Sequence, residues 1–221
     1  MQEKTSGVLS PRERNQRDTW NAIHEAAYAF AREEGLGAAT AEAVAVRAGV
    51  SRRTFFNYFP TKEDAVLGTR LPRLDEDVVE HLATDREDEL TRAVHAFVAV
   101  LRTALTEETA VRRREIIAQH PTLRGRLAQL IAQVEELVRE AMQRAAERRE
   151  DAGDEESRQV LLMLAGVIIK HAFTRYYEGG AAGQDGAGAS DREMDVFLEE
   201  SISLFRDALQ RSSGRGAGEP R

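Results

Sequence analysis

The chain has 221 residues, 42% apolar and 31% charged, enough to bury a sizeable core and too apolar for a disordered protein. It has no cysteine, which excludes disulfides and thiolate chemistry, and its longest apolar run, VLLMLAGVII at 160–169, is half of the ~20 residues a bilayer crossing needs. The net charge of −7 argues against a polyanionic partner for the whole chain, but residues 1–62 hold nine Lys/Arg against seven acids, a balance of +2 that leaves −9 to the rest. The opening residues, MQEKTSGVLSPRER, carry no apolar export signal, so a cytoplasmic location without a membrane partner is expected.

The pattern is helical nearly throughout, with no clean period-two alternation. Ser10-Pro11-Arg12-Glu13 reads as a helix start, with serine as N-cap, proline at the first helical position and Glu13 completing a capping box. Trp20, Ile23, Ala26, Ala27 and Phe30 then form an apolar stripe that ends at Gly35 and Gly37. A short helix follows Thr40 and stops at Gly49. A second runs from Ser51 to the residues before Pro60, and a third is capped by Thr61. These four helices make a compact head over 10–66.

The body, 67–211, has longer periodic segments. One spans roughly 87–105 with Leu90, Val94, Phe97, Val98, Leu101 and Leu105 on one face, and another covers about 107–119. Pro121 opens a long helix to about 149, with Leu127, Leu130, Ile131, Val134, Leu137 and Val138 at helical spacing. The segment 155–178 is apolar nearly all round at its centre and must be covered on several sides. A glycine-rich linker at 179–188 leads to a last helix, 190–211, opened by a capping box from Ser190 to Glu193. Residues 1–9 and 212–221 read as flexible tails. The expected fold is all-α with about nine helices.

Two short helices joined through Gly49-Val50, the second starting at a serine, make a helix-turn-helix. In such a unit the second helix enters the major groove with its N-terminal residues nearest the base edges. Phe55 and Phe59, at i and i+4, share a face that packs inward against Val44 and Val50, whereas Phe56 lies about 100° round, beside Arg52, Arg53 and Asn57. That outer face suits DNA: arginine for guanine, asparagine for adenine, an aromatic for a thymine methyl. Thr54 and Tyr58 carry hydroxyls for phosphate oxygens, and Thr40 and Lys62 stand at helix starts. A solvated face and ordinary N-caps account for the same residues without DNA.

The stretch TAEAVAVRAGVSRRTFFNYFPTKEDAV, 40–66, resembles the helix-turn-helix signature of TetR-type bacterial transcriptional regulators, and the stripe Ile23, Ala26, Ala27, Phe30 with Gly35 is similar to that family's first helix. It departs from the family where Arg53 replaces a frequent glycine and Phe56 a frequent tyrosine. The resemblance implies phosphate contacts from Thr40, Tyr58 and Lys62, groove contacts from Arg52, Arg53, Phe56 and Asn57, and either role for Thr54. It also implies a homodimer formed through the helices near 155–178 and 190–211, and a ligand cavity in the body. The apolar run at 160–169 supports the dimer, since one copy would leave a large patch in water.

Expected walls of that cavity are Phe97, Leu101, Ile116, Ile117, Leu127, Leu130, Val134, Met163, Val167, His171 and Tyr177, with His120, Arg175 and Tyr176 as further polar candidates. RRREIIAQHPTLRGRL, 112–127, resembles a subgroup typified by mycofactocin-type regulators, which implies an acyl-CoA-like effector. The implied function is a repressor released from a palindromic operator by a small apolar or acyl-type ligand that tilts the fourth helix. The alternative is a regulator acting by occupancy alone. An enzyme is a distant third: no histidine has Glu three residues before it, His24-Glu25 has Tyr28 where a zinc protease needs a second histidine, and no cofactor or metal is expected.

Overall fold

A computed structural model of the chain describes residues 10–84, 88–149, 154–179 and 191–214. The described residues are helical and contain no strand beyond one isolated bridge, Thr69 to Leu105. The helices are α1 (Pro11–Glu34), α2 (Ala41–Arg47), α3 (Arg52–Tyr58), α4 (Lys62–Leu67), α5 (Glu76–Leu82), α6 (Glu89–Ala104), α7 (Ala110–Gln119), α8 (Leu123–Arg148), α9 (Glu155–Gly179) and α10 (Asp191–Gly214). The chain divides into two compact units after Gly68. The tail 1–9, most of the linker at 179–188, Ser190 of the last capping box and residues 215–221 lie outside the described residues, while 212–214 continue α10.

In the first unit α1 packs against α2 and α4, and α2 against α3. Ser10 caps α1 by accepting from the Glu13 amide at 3.3 Å, and its own amide donates to the Glu13 carboxylate at 2.8 Å. Hydrogen bonding to the Ser10 side chain first, and to its amide second, holds the exposed Glu13 carboxyl below its ordinary range. The buried face of α1 is Trp20, Ile23, His24, Ala27, Tyr28 and Ala31. Phe30, expected in that stripe, is only half-buried, and the cover over its ring is the Arg47 guanidinium at 4.8 Å rather than an apolar side chain. The apolar arc is carried round by Tyr28 and Ala31 instead. His24 adds a polar tie: its Nδ1 donates to the Ala65 carbonyl at 2.8 Å and joins α1 to α4.

The second unit is a bundle in which α6 packs on α5, α8 and α9, and α9 on α8 and α10. Its core includes Val94, Phe97, Val100, Ile116, Ile117, Val134, Val138 and Ile169. Full burial of one such side chain is worth about 1.5–3 kcal/mol. The α6 face is rotated from the expected one: Ala93, Ala96, Val100 and Ala104 are buried, while Leu90, Val98 and Leu105 are half-buried. Small alanines let the neighbouring helices approach closely, so they rather than the larger side chains mark the inner side.

Among the described residues ten helices stand where about nine were expected, because α5 carries three buried apolar residues, Val78, Val79 and Leu82, in only seven positions. Two turns are too few to display a period. The expected helix at 107–119 divides into a 3₁₀ turn, Glu107–Thr109, and α7. The long helix starts at Leu123 rather than Pro121, which sits in the preceding turn. Helix α9 is long and apolar enough to span a bilayer, but half of that stretch is buried within the protein, as in the core helix of a bundle.

Candidate nucleic-acid interface

Three local devices shape α2 and α3. Thr40 caps α2, its Oγ1 accepting from the Ala43 amide at 3.1 Å. Gly49 takes φ +69, a left-handed conformation costly for residues with a Cβ, and the Val50 amide then returns to the Ala45 carbonyl at 2.9 Å. Ser51 opens α3 by accepting from the Thr54 amide at 2.9 Å, and its hydroxyl also meets Thr54 Oγ1 at 2.8 Å. The chain leaves α3 through Phe59 in extended geometry, as the following proline demands.

The four crowded aromatics divide as their spacing requires. Phe55 and Phe59 are completely buried, and Phe59 lies 5.3 Å from the Trp20 ring of α1. Phe56 is 45% exposed and Tyr58 half-exposed. Beside Phe56 lie Arg52, Arg53 and Asn57, all exposed. Packing of the inner two aromatics therefore fixes which way the outer residues face.

The two arginines differ. Arg52 Nε lies 2.7 Å from the Glu42 carboxylate of α2, and its guanidinium is 5.4 Å from the centre of the Phe56 ring. Arg53 makes no ion pair among the described residues, and the side chains of Asn57 and Tyr58 make no hydrogen bond there. Lys62 is anchored: its Nζ donates to the Leu36 carbonyl at 3.0 Å, which holds the ammonium at the start of α4. Thr61 and Asp64 form a capping box at the same place, with Asp64 buried against the Thr61 hydroxyl at 2.7 Å. All eight residues singled out for DNA thus lie on or at the start of α2, α3 and α4. Glu42 was missed, since an acid in the first turn of a helix reads simply as a dipole partner.

Of the residues expected to line a ligand cavity, Leu127 and Tyr177 border one opening and Leu101 and Tyr177 another, and the rest are spread through the bundle and over its surface. Phe97, Leu101, Ile117, Leu130, Val134 and Tyr177 are buried in the bundle, as are Ile116 and Leu127. Met163 and Val167 face outward, 59% and 56% exposed, on the opposite side of α9 from its buried Ile169 and Phe173. His171 is half-buried and turned toward α10, where its Nδ1 lies 2.9 Å from Ser201 Oγ. Since that hydroxyl donates to the Phe197 carbonyl, His171 is the donor to it. Arg175 pairs with Glu200 at 2.7 Å, the Arg114 guanidinium covers the buried Tyr176 ring at 5.1 Å, and His120 is half-buried.

Several openings border the bundle. A cavity of about 150 Å³ has Arg124 and Lys170 at its rim and Leu127, Ile131, Phe173 and Tyr177 beneath. A smaller one of about 50 Å³ adjoins Leu101, Arg113, Phe173 and Tyr177. A larger one, about 270 Å³, touches none of the expected residues and lies among Leu82, Arg92, Met142, Arg149 and Arg158. Arg113, the middle one of three adjacent arginines, is buried and donates to the Thr106 carbonyl at 3.3 Å and to Thr109 Oγ1. Burial pushes the Tyr177 hydroxyl above its ordinary pKa of 10.0, against the opposing charge of Arg113.

A short helix capped by serine, turned out of a glycine corner and held by two buried aromatics, is the recognition helix of a helix-turn-helix DNA-binding domain. Residues 23–67 match the family described as bacterial regulatory proteins, tetR family. The likeness to that family lies within the first unit and covers 45 of the 221 residues. Among solved structures it is similar to Thermus thermophilus FadR, a TetR-family transcriptional repressor crystallised with lauroyl-CoA. That likeness is 21% in identity, covers 84% of this chain and 92% of that one, and has a TM-score of 0.38. No curated protein sequence matches the chain.

Proposed function

We propose that the protein is a homodimeric, sequence-specific DNA-binding regulator, a repressor released from a palindromic operator by a small apolar or acyl-type effector. The observation that carries the reading is the outer face of α3, where Arg52, Arg53, Phe56 and Asn57 stand exposed together while Phe55 and Phe59 anchor the helix from behind. Base-edge contacts come from Arg52, Arg53, Phe56 and Asn57, and phosphate contacts from Thr40, Tyr58 and Lys62, with Thr54 available to either. The partner is double-stranded DNA, which places the protein in the cytoplasm.

Dimerisation is supported by α9 and α10. Val160, Met163 and Val167 lie at helical spacing and are each more than half exposed, and α10 adds Val196 and Leu204. A second copy laid on these helices removes that patch from water and supplies the second recognition helix for a two-fold site. For the effector, the support is the 150 Å³ cavity, whose cationic rim and apolar floor suit an acyl chain with an anionic head, together with the likeness of 112–127 to acyl-CoA-type regulators. The ligand releases DNA if it binds the non-binding conformer more tightly.

A second reading, occupancy without an effector, is favoured by the size of that cavity, which is below the roughly 300 Å³ of an ordinary ligand pocket. The test begins with selection of binding sites from random DNA and titration of the selected site against its shuffled sequence. Preferential binding with two protomers per site supports the regulator, and equal binding to both DNAs contradicts it. Thermal melting with acyl-CoAs of increasing chain length then decides between the readings, because a ligand of the folded state raises the melting temperature. A rise together with weaker operator binding supports the effector; no rise across the series supports occupancy alone.

A further inference from the structure

We propose that Glu42 is a specificity-determining residue of the DNA-reading face, holding Arg52 for base contact at the expense of non-specific binding. The inference rests on the DNA-binding function proposed above. Arg52 is clamped from two sides: its Nε faces the Glu42 carboxylate at 2.7 Å, and its guanidinium plane lies by the Phe56 ring at 5.4 Å. Its two Nη groups, which form the fork that meets N7 and O6 of guanine, make no hydrogen bond among the described residues. The clamp thus engages the stem side of the guanidinium and leaves the reading side open.

Both partners are largely exposed, with 66% of the Arg52 and 60% of the Glu42 side chain accessible, so the pair adds little to stability. It nevertheless sits beside the residues that meet a polyanion. There a carboxylate repels phosphate and cancels the long-range attraction of Arg52. Arg53, next in sequence and with no such partner, is left to supply that attraction. Specificity is a difference of affinities, and a charge that weakens every complex except the one with the right base increases that difference. The Glu42 carboxylate is also the group type that accepts from the cytosine amino group, so the pair can present a donor and an acceptor side by side.

The test compares the full-length protein with Glu42→Gln, Glu42→Asp, Arg52→Ala and the Glu42→Gln/Arg52→Ala double variant, on the selected operator and its shuffled sequence, across a salt series. Glu42→Gln is expected to bind shuffled DNA more tightly, with a salt slope steeper by about one, because Arg52 now pairs with phosphate. Its ratio of operator to shuffled affinity falls about tenfold, equivalent to the ~1.4 kcal/mol of one lost base contact. Glu42→Asp, which keeps the charge but shortens the arm, retains weak shuffled binding and still loses part of the ratio. With Arg52 already replaced, Glu42→Gln changes the ratio no further.

An unchanged ratio and unchanged shuffled binding in Glu42→Gln overturn the proposal while leaving the DNA-binding function standing. An equal loss of ratio in the Arg52→Ala background also overturns it, since Glu42 would then act without Arg52. A lower melting temperature with the ratio intact would assign Glu42 a structural role only. If the unaltered protein shows no preference in the selection, the regulator reading itself fails and this inference with it.

Discussion

The two units of the chain are built by different means. In the first, punctuation dominates: Ser10, Thr40, Ser51 and Thr61 each cap a helix through a side-chain oxygen, and Gly35, Gly49 and Gly68 each take a positive φ at or after a helix end. In the second, apolar stripes set the long helices; Asp88 caps α6, but Asp75, Thr106, Thr109 and Thr122 stand at helix starts without any side-chain cap bond. Short helices cannot hold themselves by propensity, so their ends must be specified. A helix of 26 residues such as α8 gains enough from burial to tolerate a loosely defined start. The first unit is accordingly read through local signals, and the second through packing that no local signal announces.

The sharpest way to break this comparison lies within α3. Phe55→Ala removes a fully buried ring and is expected to destabilise the first unit by about 3–5 kcal/mol, whereas Phe56→Ala should stay within about 0.5 kcal/mol and lower only DNA preference. Urea denaturation of both variants checks this, and equal destabilisation would contradict the division of the aromatics. In the body, Met163→Glu with Val167→Glu places charges on the outward face of α9. The proposed dimer should lose about 2–4 kcal/mol of association free energy without loss of helical content, read by sedimentation and circular dichroism. A dimer that survives would move the interface elsewhere.

Smaller effects test the punctuation itself. Thr61→Ala removes both the cap of α4 and the hydroxyl that holds buried Asp64, at an expected cost of about 1–2 kcal/mol in chemical denaturation. Lys62→Ala should weaken binding to all DNA sequences alike and flatten the salt dependence by about one unit of slope. A loss confined to the operator would show that Lys62 contributes to base reading. Smallest is a surface effect in the body, where hydrogen bonds from Arg144 and then Arg148 hold the Glu76 carboxyl below its ordinary 4.5. A carboxylate depressed in the folded state contributes its stability above the unfolded pKa and loses it as pH falls through the folded one. Acid melting curves of Glu76→Gln should therefore show a slightly shallower fall below about pH 4.5, and high salt should erase the difference.

How much was legible follows from the same contrast. The capping residues, the glycine turn and the inward and outward division of the four aromatics depend on neighbours within four positions, so one segment of sequence contains them. Phe30 failed as a stripe member for a reason four positions cannot show: Arg47, from the next helix, occupies the place above its ring. α5 failed because seven residues do not establish a period, and the face of α6 because alanines mark close approach as surely as leucines mark bulk. Within the candidate site, Arg52 and Arg53 are indistinguishable as a string. Only the fold pairs one with Glu42 and leaves the other open.

By itself the sequence determined an all-helical chain, a capped helix-turn-helix and the residues that face out of its second helix, because these rest on backbone geometry and helical spacing. Tertiary structure decided that Arg113 is buried beside Tyr177, that Met163 and Val167 point away from the core, and that Glu42 meets Arg52. Those facts depend on which helices lie side by side. Packing of separate elements is set by the sum of many small apolar contacts, and no single stretch of residues encodes that sum.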